Sequence, residues 1–351
     1  MTVLVVGGGI AGLALARALI DRNVPVEVVE RNVDRGAGLA INLPGNAVTA
    51  FAALGIDLSS VGRPTRRREY RTSHGRLLFG VDEDAFWGTG AQPRCVRRSD
   101  LLALLGDGIP VRHATVTAVD GLDVEFAGGE RKTYEFVVGA DGVRSAVRSA
   151  VFGGDGVRAS LLSAASWRFM APNPGVDCWT VWSGAGGAFL LIPVDGEEVY
   201  AYASATAGGP VADDPGWLHS TFASFPSPVR AVLAEPSSLI HSPIEEIRLP
   251  SWVSGRRVLI GDAAHATAPV WAQGAALAVE DALALSDLLA GGDWDTVGAR
   301  FEALRRERVA HVQAATDRFS RAAALPVWLR HLVMPVIGPK TYRETYAPLR
   351  A

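Results

Sequence analysis

A glycine-rich turn near the start of the chain constrains the fold more than any other feature. Residues 3–6 have the β-branched composition of a buried strand, and residues 10–20 have apolar residues at helical spacing. The pattern Gly7-x-Gly9-x-x-Gly12 therefore lies at a strand-to-helix turn. A second predicted strand, 26–29, is followed by the acid Glu30. This order of elements predicts a parallel β-α-β unit that binds a dinucleotide.

Each position of this turn has a physical role. Gly7 permits the tight turn, Gly9 lets the backbone approach a pyrophosphate, and Gly12 allows the helix to pack closely on the strand. Backbone N–H groups at the helix start favour an anion, and the carboxylate of Glu30 is expected to accept hydrogen bonds from ribose hydroxyls. The candidate cofactor contacts in this unit are Gly7, Gly9, Ala11, Gly12 and Glu30.

Length and composition exclude several classes of protein. The 351 residues predict about two domains, and 48% apolar content with a net charge of −3 excludes a disordered chain and a strongly basic nucleic-acid binder. Cys95 and Cys178 show neither disulfide nor metal-ligand spacing, so we predict no metal and a reducing, cytoplasmic location. The apolar stretch 325–338 is too short to span a bilayer. We expect it to pack on the protein, which we favour over a position on a membrane surface.

Further elements follow from periodicity. Alternating or apolar runs predict strands at 111–119, 122–126, 136–138, 189–192, 199–203 and 257–260. Alanine- and leucine-rich helical patterns cover 275–289 and 297–324. Short strands with frequent glycine and proline between 152 and 250 indicate a second, mixed or antiparallel domain.

Two further motifs each follow an apolar strand. They are Gly139-Ala140-Asp141-Gly142-Val143-Arg144-Ser145 and Gly261-Asp262-Ala263-Ala264-His265. With the first glycine turn, they make the chain resemble the class A flavoprotein monooxygenases, the group of para-hydroxybenzoate hydroxylase, salicylate hydroxylase and 6-hydroxynicotinate 3-monooxygenase. The resemblance covers most of the chain.

The resemblance implies which residues meet the cofactor. It implies that Asp262 contacts the ribityl chain of FAD, that Asp141 lies in a motif associated with both FAD and NAD(P)H, and that Arg98 reaches the cofactor. Lesser FAD contacts are implied at Arg31, Arg35, Asn42 and Val116. The predicted helix start at Gly274 and Ala275 could direct its amides at the flavin pyrimidine. His265 lies inside a cofactor motif, so we expect it to be packed or hydrogen-bonded and not a general base.

The implied activity is hydroxylation of a small aromatic or polycyclic substrate by a monooxygenase that holds FAD noncovalently. NAD(P)H would reduce the flavin as a transient co-substrate, because one dinucleotide fingerprint is visible, and O2 would react through a C4a-hydroperoxyflavin. Two alternatives stay open: a flavin-dependent epoxidase or prenyl reductase, and a flavoprotein that only sequesters a ligand. We expect a monomer or homodimer with no nucleic-acid partner and no integral membrane association.

Candidate pocket residues come from the second domain and the segment after the Gly-Asp motif. They are Arg168, Trp182, Tyr200, Tyr202, Pro269 and Trp271, and core packing is the competing role for the aromatic ones. The family often has Gly-Gln-Gly after the proline, whereas this chain has Ala272-Gln273-Gly274 beside a bulky tryptophan. This departure predicts a narrower substrate entrance. No catalytic side chain is assigned.

The predicted fold class is α/β, with a Rossmann-like FAD-binding domain assembled from discontinuous segments and a mixed β-sheet substrate domain. We assign residues 1–62, 96–157 and 251–320 to the first domain and residues 63–95 and 158–250 to the second. Residues 321–351 are predicted to form a C-terminal helical segment that packs on the body.

Overall fold

The computed structural model describes residues 1–32, 39–153, 156–206 and 209–350. Its strands, in chain order, are β1 Val3–Val6, β2 Val26–Glu30, β3 Ala40–Leu43, β4 Arg63–Pro64, β5 Arg67–Thr72, β6 Leu77–Asp82, β7 Arg94–Arg97, β8 Val111–His113, β9 Val116–Asp120, β10 Asp123–Phe126, β11 Arg131–Thr133, β12 Phe136–Gly139, β13 Val157–Ala159, β14 Ala165–Pro172, β15 Trp179–Ser183, β16 Gly187–Pro193, β17 Glu198–Ala205, β18 Ser237–Pro243, β19 Glu245–Ile247, β20 Val253–Ser254 and β21 Arg257–Leu259.

Helices flank these strands and dominate the C-terminal part of the chain. They are α1 Ile10–Asp21, α2 Gly45–Ala53, α3 Glu83–Trp87, α4 Arg98–Gly106, α5 Ala146–Phe152, α6 Pro215–Phe222, α7 Ser227–Ala234, α8 Asp262–His265, α9 Gly274–Ala290, α10 Trp294–Ala323 and α11 Val327–Tyr346, followed by a 3-10 turn at Ala347–Leu349. No helix in the described ranges is long and apolar enough to cross a membrane.

A six-stranded sheet carries the predicted dinucleotide unit. Its strand order is β20-β21-β12-β1-β2-β8, and all neighbours are parallel except β20 with β21. Strands β1 and β12 are buried at every position, as expected of central parallel strands covered on both faces. Helix α1 packs against α9 beside this sheet. The strand, turn, helix and strand predicted at the N-terminus are therefore confirmed.

One predicted strand was wrong. Residues 111–119 form two strands, because β8 pairs with β2 in the six-stranded sheet while β9 pairs with β10 in a separate three-stranded sheet. The chain changes sheets at Ala114, whose N–H donates to the carbonyl of Glu30. Alternation alone does not reveal such a change, because both pieces keep a period of two.

A seven-stranded sheet forms the second large layer, in the order β18-β14-β17-β16-β15-β5-β6. Its strands come from residues 67–82 and 165–243, and only β15 and β5 are parallel neighbours. One face packs on α6 and α7 through an apolar cluster that includes Phe169, Phe189 and Phe222. The mixed α/β class with C-terminal helices is confirmed, whereas the domain boundaries stay a prediction.

A small sheet, β3-β7-β4, lies over the other face of the seven-stranded sheet. Ala40 and Cys95 of this small sheet pack with Met170, Trp179 and Ile192 of the large one. Tyr200 of the seven-stranded sheet also packs against this cluster between the two sheets.

Candidate cofactor and substrate site

The glycine turn at the end of β1 has the geometry that a diphosphate group requires. Gly7 has φ +114°, and a Cβ there would lie 2.4 Å from the carbonyl oxygen of Ala140. A Cβ at Gly12 would lie 1.8 Å from the carbonyl oxygen of Gly7, so both positions need glycine for packing. Gly9 differs, because a Cβ there would meet nothing within 4 Å. It faces open space at the start of α1.

That open space lies beside the backbone N–H groups at the start of α1, which no side chain caps. Gly9 is the N-cap of α1, no side chain caps this helix, and its first turn contains no acidic residue. The N–H groups of the first helical turn, including that of the buried Ala11, therefore present partial positive charge to the space beside Gly9. The residues present fit the diphosphate of a dinucleotide such as FAD.

Glu30 lies beside this turn at the end of β2. Its Oε2 accepts a hydrogen bond from the N–H of Gly8 at 2.7 Å, and its Oε1 accepts one from the N–H of Asn32 at 2.9 Å. The side chain of the next residue, Arg31, is exposed. Arg35, predicted as a lesser contact, lies outside the described residues.

Asp141 follows β12 and caps helix α5. Its carboxylate accepts hydrogen bonds from the hydroxyl of Ser145 and from the N–H of Ala146 at 2.7 Å. Burial raises the pKa of Asp141, and the bonds it accepts oppose this effect. Because Ala140 also touches Gly7, the Asp141 loop borders the glycine turn. Its carboxylate holds that loop in place.

The Gly261–Asp262 turn packs on the same helix start. Gly261 has φ +58°, and a Cβ there would lie 2.9 Å from the Cβ of Ala11. Asp262 is exposed, yet the protein around it raises the pKa of its carboxyl group, while the charges of His265 and Arg98 lower it. Exposure combined with desolvation places this carboxylate in a recess.

Helix α9 begins at the edge of that recess. An added Cβ at Gly274 would lie 3.7 Å from Oδ1 of Asp262. Gly274 is exposed and Ala275 is buried, and no side chain caps the helix. The structure thus brings together the turn of Gly7 to Gly12, Asp262, Arg98 and the start of α9.

A buried polar network supports the turn from behind, and the sequence analysis did not find it. The carboxylate of Asp281 accepts hydrogen bonds from the N–H of Gly261 at 2.9 Å, from His265 Nε2 at 2.6 Å and from Arg305 Nε at 2.8 Å. His265 is therefore hydrogen-bonded and buried, as predicted. An acid at 281, on the helix face that also carries Leu277 and Leu285, was the available signal.

Candidate substrate residues lie on the face of the seven-stranded sheet that is turned toward the β3-β7-β4 sheet. Arg168 pairs in register with Tyr202, and Met170 pairs with Tyr200, so alternation directs all four side chains to one face. Arg168 also donates to the hydroxyl of Ser242. Burial raises the pKa of both tyrosines, so their hydroxyls stay protonated at neutral pH.

Trp182 lies on the opposite face. It belongs to the apolar cluster under α6 and α7 and is 4% exposed. Trp182 therefore faces α6 and α7 and does not share a face with Tyr200 and Tyr202.

Asn42 and Val116, predicted as lesser FAD contacts, lie in different sheets. Asn42 pairs with Cys95 across β3 and β7, so it points toward the seven-stranded sheet with Cys95. Its Oδ1 is buried and finds no hydrogen-bond partner among the described residues. Val116 is buried in the core, where β9 pairs with β10.

The segment before α9 separates its two pocket candidates. Pro269 is exposed, whereas the indole ring of Trp271 is 5% exposed and packs edge-on against Phe319 and Tyr346. The hydroxyl of Tyr346 donates to the carbonyl oxygen of Trp271 at 2.8 Å. Because the ring is turned toward α10 and α11, it supplies little exposed surface to narrow an entrance.

Comparison with known proteins matches this geometry to a family. The model of the FAD binding domain family matches residues 117–319, more than half of the chain. The chain is also 30% identical to the 2-heptyl-3-hydroxy-4(1H)-quinolone synthase of Pseudomonas aeruginosa, an alignment that covers 99% of this chain and 97% of that protein. The chain belongs to the FAD-dependent monooxygenases.

Other members of the family show the same relationship. The FAD-dependent urate hydroxylase of Klebsiella pneumoniae is 29% identical over 81% of this chain and 80% of its own length. The crystal structure of Klebsiella pneumoniae HpxO with FAD and uric acid superposes with a TM-score of 0.80 at 25% identity, covering 100% of this chain and 92% of that one. This FAD-dependent monooxygenase therefore shares its fold with relatives along its whole length.

Proposed function

We propose that this monooxygenase hydroxylates a small, planar aromatic substrate held between the seven-stranded sheet and the β3-β7-β4 sheet. One observation carries the proposal. Two buried polar atoms on these facing sheets, the acceptor Oδ1 of Asn42 and the donor Nε of Arg168, have no hydrogen-bond partner among the described residues. Leaving such atoms unpaired costs about 1–3 kcal/mol each, and a bound ligand with one donor and one acceptor would recover that cost.

The surrounding side chains suit an aromatic ring. Tyr200 and Tyr202 supply flat surface and protonated hydroxyls, and the neighbouring Met170 and Ile192 supply apolar contact. One relative is named as the synthase of a 4(1H)-quinolone and another as a hydroxylase of urate. A ring that bears nitrogen or hydroxyl groups would satisfy both Asn42 and Arg168.

The proposed cofactor contacts are the glycine turn, Glu30, Arg98, Asp262 and the start of α9. Bound FAD would supply the redox chemistry, taking electrons from NAD(P)H and passing them to O2. We propose NAD(P)H as a transient co-substrate, because the sequence contains one full dinucleotide fingerprint. The chain itself would position the substrate ring and exclude water between the two sheets. It would also keep the hydroxyl groups of Tyr200 and Tyr202 protonated.

Substrate-stimulated NAD(P)H oxidation tests this function. The purified protein would be screened with phenols, anthranilates, quinolones, purines and polyketides, and products would be identified by mass. A product that gains one oxygen atom supports hydroxylation, whereas a product that gains two hydrogens supports the reductase alternative. If no compound in the panel stimulates NAD(P)H oxidation, the proposal of an aromatic substrate is contradicted.

A variant at Arg168 tests where the substrate binds. Arg168→Gln should raise KM for the substrate at least about tenfold, roughly 1.4 kcal/mol, with FAD content unchanged. Arg66→Gln, at an exposed arginine directly before β5, is the control and should leave KM unchanged. Unchanged KM in Arg168→Gln would move the pocket away from this sheet face.

A further inference from the structure

The N-terminal half of α11 exposes a continuous apolar surface. Trp328, Leu332 and Val336 follow one another at intervals of four residues and are 67%, 68% and 79% exposed. Residues four apart lie on one face of a helix. Leu325 and Ile337 adjoin them, at 43% and 50% exposure. We call these five residues the α11 ridge.

The exposed apolar side chains of the protein are concentrated in this segment. The described residues contain ten strongly exposed large apolar side chains, and five of them fall within residues 325–337. Single exposed apolar residues need no explanation, but a contiguous apolar patch marks a binding surface. The ridge therefore requires a partner.

The helix itself is firmly attached to the protein. Gly338 lies so close to the ring of Phe79 on β6 that a Cβ would come within 2.3 Å of it. Arg330 donates to the carbonyl oxygen of Gly184 at 3.1 Å, and Tyr342 and Tyr346 are buried. One face of α11 is thus anchored on the seven-stranded sheet while the ridge points outward.

The charge around the ridge is positive. From Arg318 to Arg343 the sequence contains no Asp or Glu but five cations, Arg318, Arg321, Arg330, Lys340 and Arg343, in a chain whose net charge is −3. The acids that flank this segment are already paired, Asp317 with Arg248 and Glu344 with Lys340.

Positive charge near α11 also affects a histidine of that helix, His331. Burial lowers the pKa of His331, and the nearby charges of Arg330 and Arg76 lower it further. Arg76 is exposed in the turn between β5 and β6, so the cations beside α11 come from two parts of the chain. Arg76 and Arg330 therefore place positive charge beside the anchored face of α11.

We propose that the α11 ridge docks this protein on an anionic lipid surface. Apolar side chains with a tryptophan, bordered by arginine and lysine, are the features of helices that lie in the headgroup region of a bilayer. The ridge occupies thirteen residues, fewer than the about 20 needed to cross the hydrocarbon core. It would lie along the surface, with the exposed Arg321 and Arg343 near lipid phosphates.

The charge argues against a second copy of the chain as the partner. A symmetric dimer through this face would set ridge against ridge and bring two sets of like charges together. Such an arrangement lacks the electrostatic complementarity of a specific interface. An anionic membrane supplies the opposite charge along the whole ridge.

Vesicle co-sedimentation of the full chain with its cofactor tests the proposal. Binding to vesicles of phosphatidylcholine and phosphatidylglycerol should exceed binding to pure phosphatidylcholine at least about tenfold, and high salt should weaken it because exposed charges are screened. Leu332→Glu should reduce binding to the anionic vesicles at least about tenfold. Leu304→Glu is the matched control, since Leu304 is 61% exposed on α10 outside the ridge, and it should bind as the wild type does.

The same experiment can overturn the proposal. Equal binding to both kinds of vesicle, or equal binding of Leu332→Glu and wild type, would contradict docking through the ridge. Sedimentation equilibrium tests the competing role, an interface between two copies of the chain. A dimer that the Leu332→Glu substitution dissociates, combined with no binding to vesicles, would support that role and refute the lipid proposal. Thermal unfolding of each variant verifies that the fold is intact.

Discussion

Asp281 on α9 holds the backbone of Gly261, the residue before Asp262, which we propose as a cofactor contact. The Asp281 carboxylate accepts the N–H of Gly261 at 2.9 Å, and Arg305 on α10 donates to its other oxygen at 2.8 Å. Asp281 is fully buried. Side chains from the two successive helices α9 and α10 therefore fix the conformation of the turn that precedes them.

Asp281→Asn should lower both stability and FAD affinity. The variant removes a buried negative charge from Arg305 and His265, and breaking a buried ion pair costs about 3–5 kcal/mol. Urea unfolding and an FAD titration measure the two effects. Asp287→Asn on the same helix is the control, because its pair with Arg22 is at the surface and is worth about 0–1 kcal/mol. Equal losses in both variants would contradict a special role for Asp281.

The same residue should make stability depend on pH. Burial raises the pKa of Asp281, but the charges of His265 and Arg305 and its hydrogen bonds outweigh this and lower it. A folded pKa below the unfolded value of about 3.9 means that the contribution is fully present above about pH 4 and is lost as the pH falls through the folded pKa. Urea unfolding of the wild type from pH 7 to pH 3 should show this loss, and Asp281→Asn should show a smaller one.

Gly9→Val should fold but lose FAD. A Cβ at Gly9 meets no protein atom within 4 Å, so the valine would fill only the space proposed for the diphosphate. The measurement is flavin content after gel filtration, with unfolding to release the flavin as the check that attachment is noncovalent. A Gly9→Val protein that keeps a normal flavin content would show that the turn does not hold the diphosphate.

Two further glycines provide the controls for that experiment. Gly12→Ala should fail to fold, because its Cβ would lie 1.8 Å from the carbonyl oxygen of Gly7. Gly196→Val should retain both fold and flavin, since Gly196 is exposed and a Cβ there also meets nothing within 4 Å. The three variants separate loss of cofactor from loss of structure.

The sequence predicted the first β-α-β unit, the Gly-Asp turn and the antiparallel strands 189–192 and 199–203, because each depends on local periodicity and on glycine at defined positions. It did not predict which face of the second sheet each aromatic residue occupies. Trp182 and Tyr200 both look like aromatic residues of strands. Only the pairing of β15 and β17 with β16, the strand between them, places the two side chains on opposite faces. Registers between distant segments are tertiary information.

The buried ion pairs escaped prediction for a related reason. Arg68 and Glu83 are ordinary charged residues in the sequence, and their burial results from packing of α3 and α11 against β5. Nothing within ten residues of either one signals the partner. The network of Asp281 and Arg305 likewise joins two helices. The position of Asp281 on the apolar face of α9 indicates an acid that needs a partner, but the helical pattern does not identify Arg305 as that partner.

Asp262→Ala should weaken FAD binding by about 1–3 kcal/mol, the range for losing a hydrogen bond to a charged group. The carboxylate is exposed in its recess, so its removal leaves no buried cavity and the fold should persist. An FAD titration measures the change, and Asp120→Ala, an exposed acid at the end of β9, is the control. Unchanged affinity in a folded Asp262→Ala protein would remove this residue from the site.

Glu83→Gln should destabilise the protein more than any change at a surface ion pair. Glu83 is fully buried, pairs with Arg68, and accepts hydrogen bonds from Trp87 Nε1 at 2.8 Å and from the hydroxyl of Tyr342 at 2.6 Å. Glutamine keeps the size of the side chain but leaves the buried guanidinium of Arg68 without its counter-ion, which costs about 3–5 kcal/mol.

Because Tyr342 belongs to α11, this loss should also loosen the contact between α11 and the rest of the protein. Thermal unfolding measures the stability, and hydrogen exchange of α11 amides measures the local effect. Glu125→Gln, which breaks the exposed pair with Arg131, should change stability by less than about 1 kcal/mol. If Glu83→Gln is as stable as Glu125→Gln, the buried pair does not hold α11, and its anchoring must come from the apolar contact of Gly338 with Phe79.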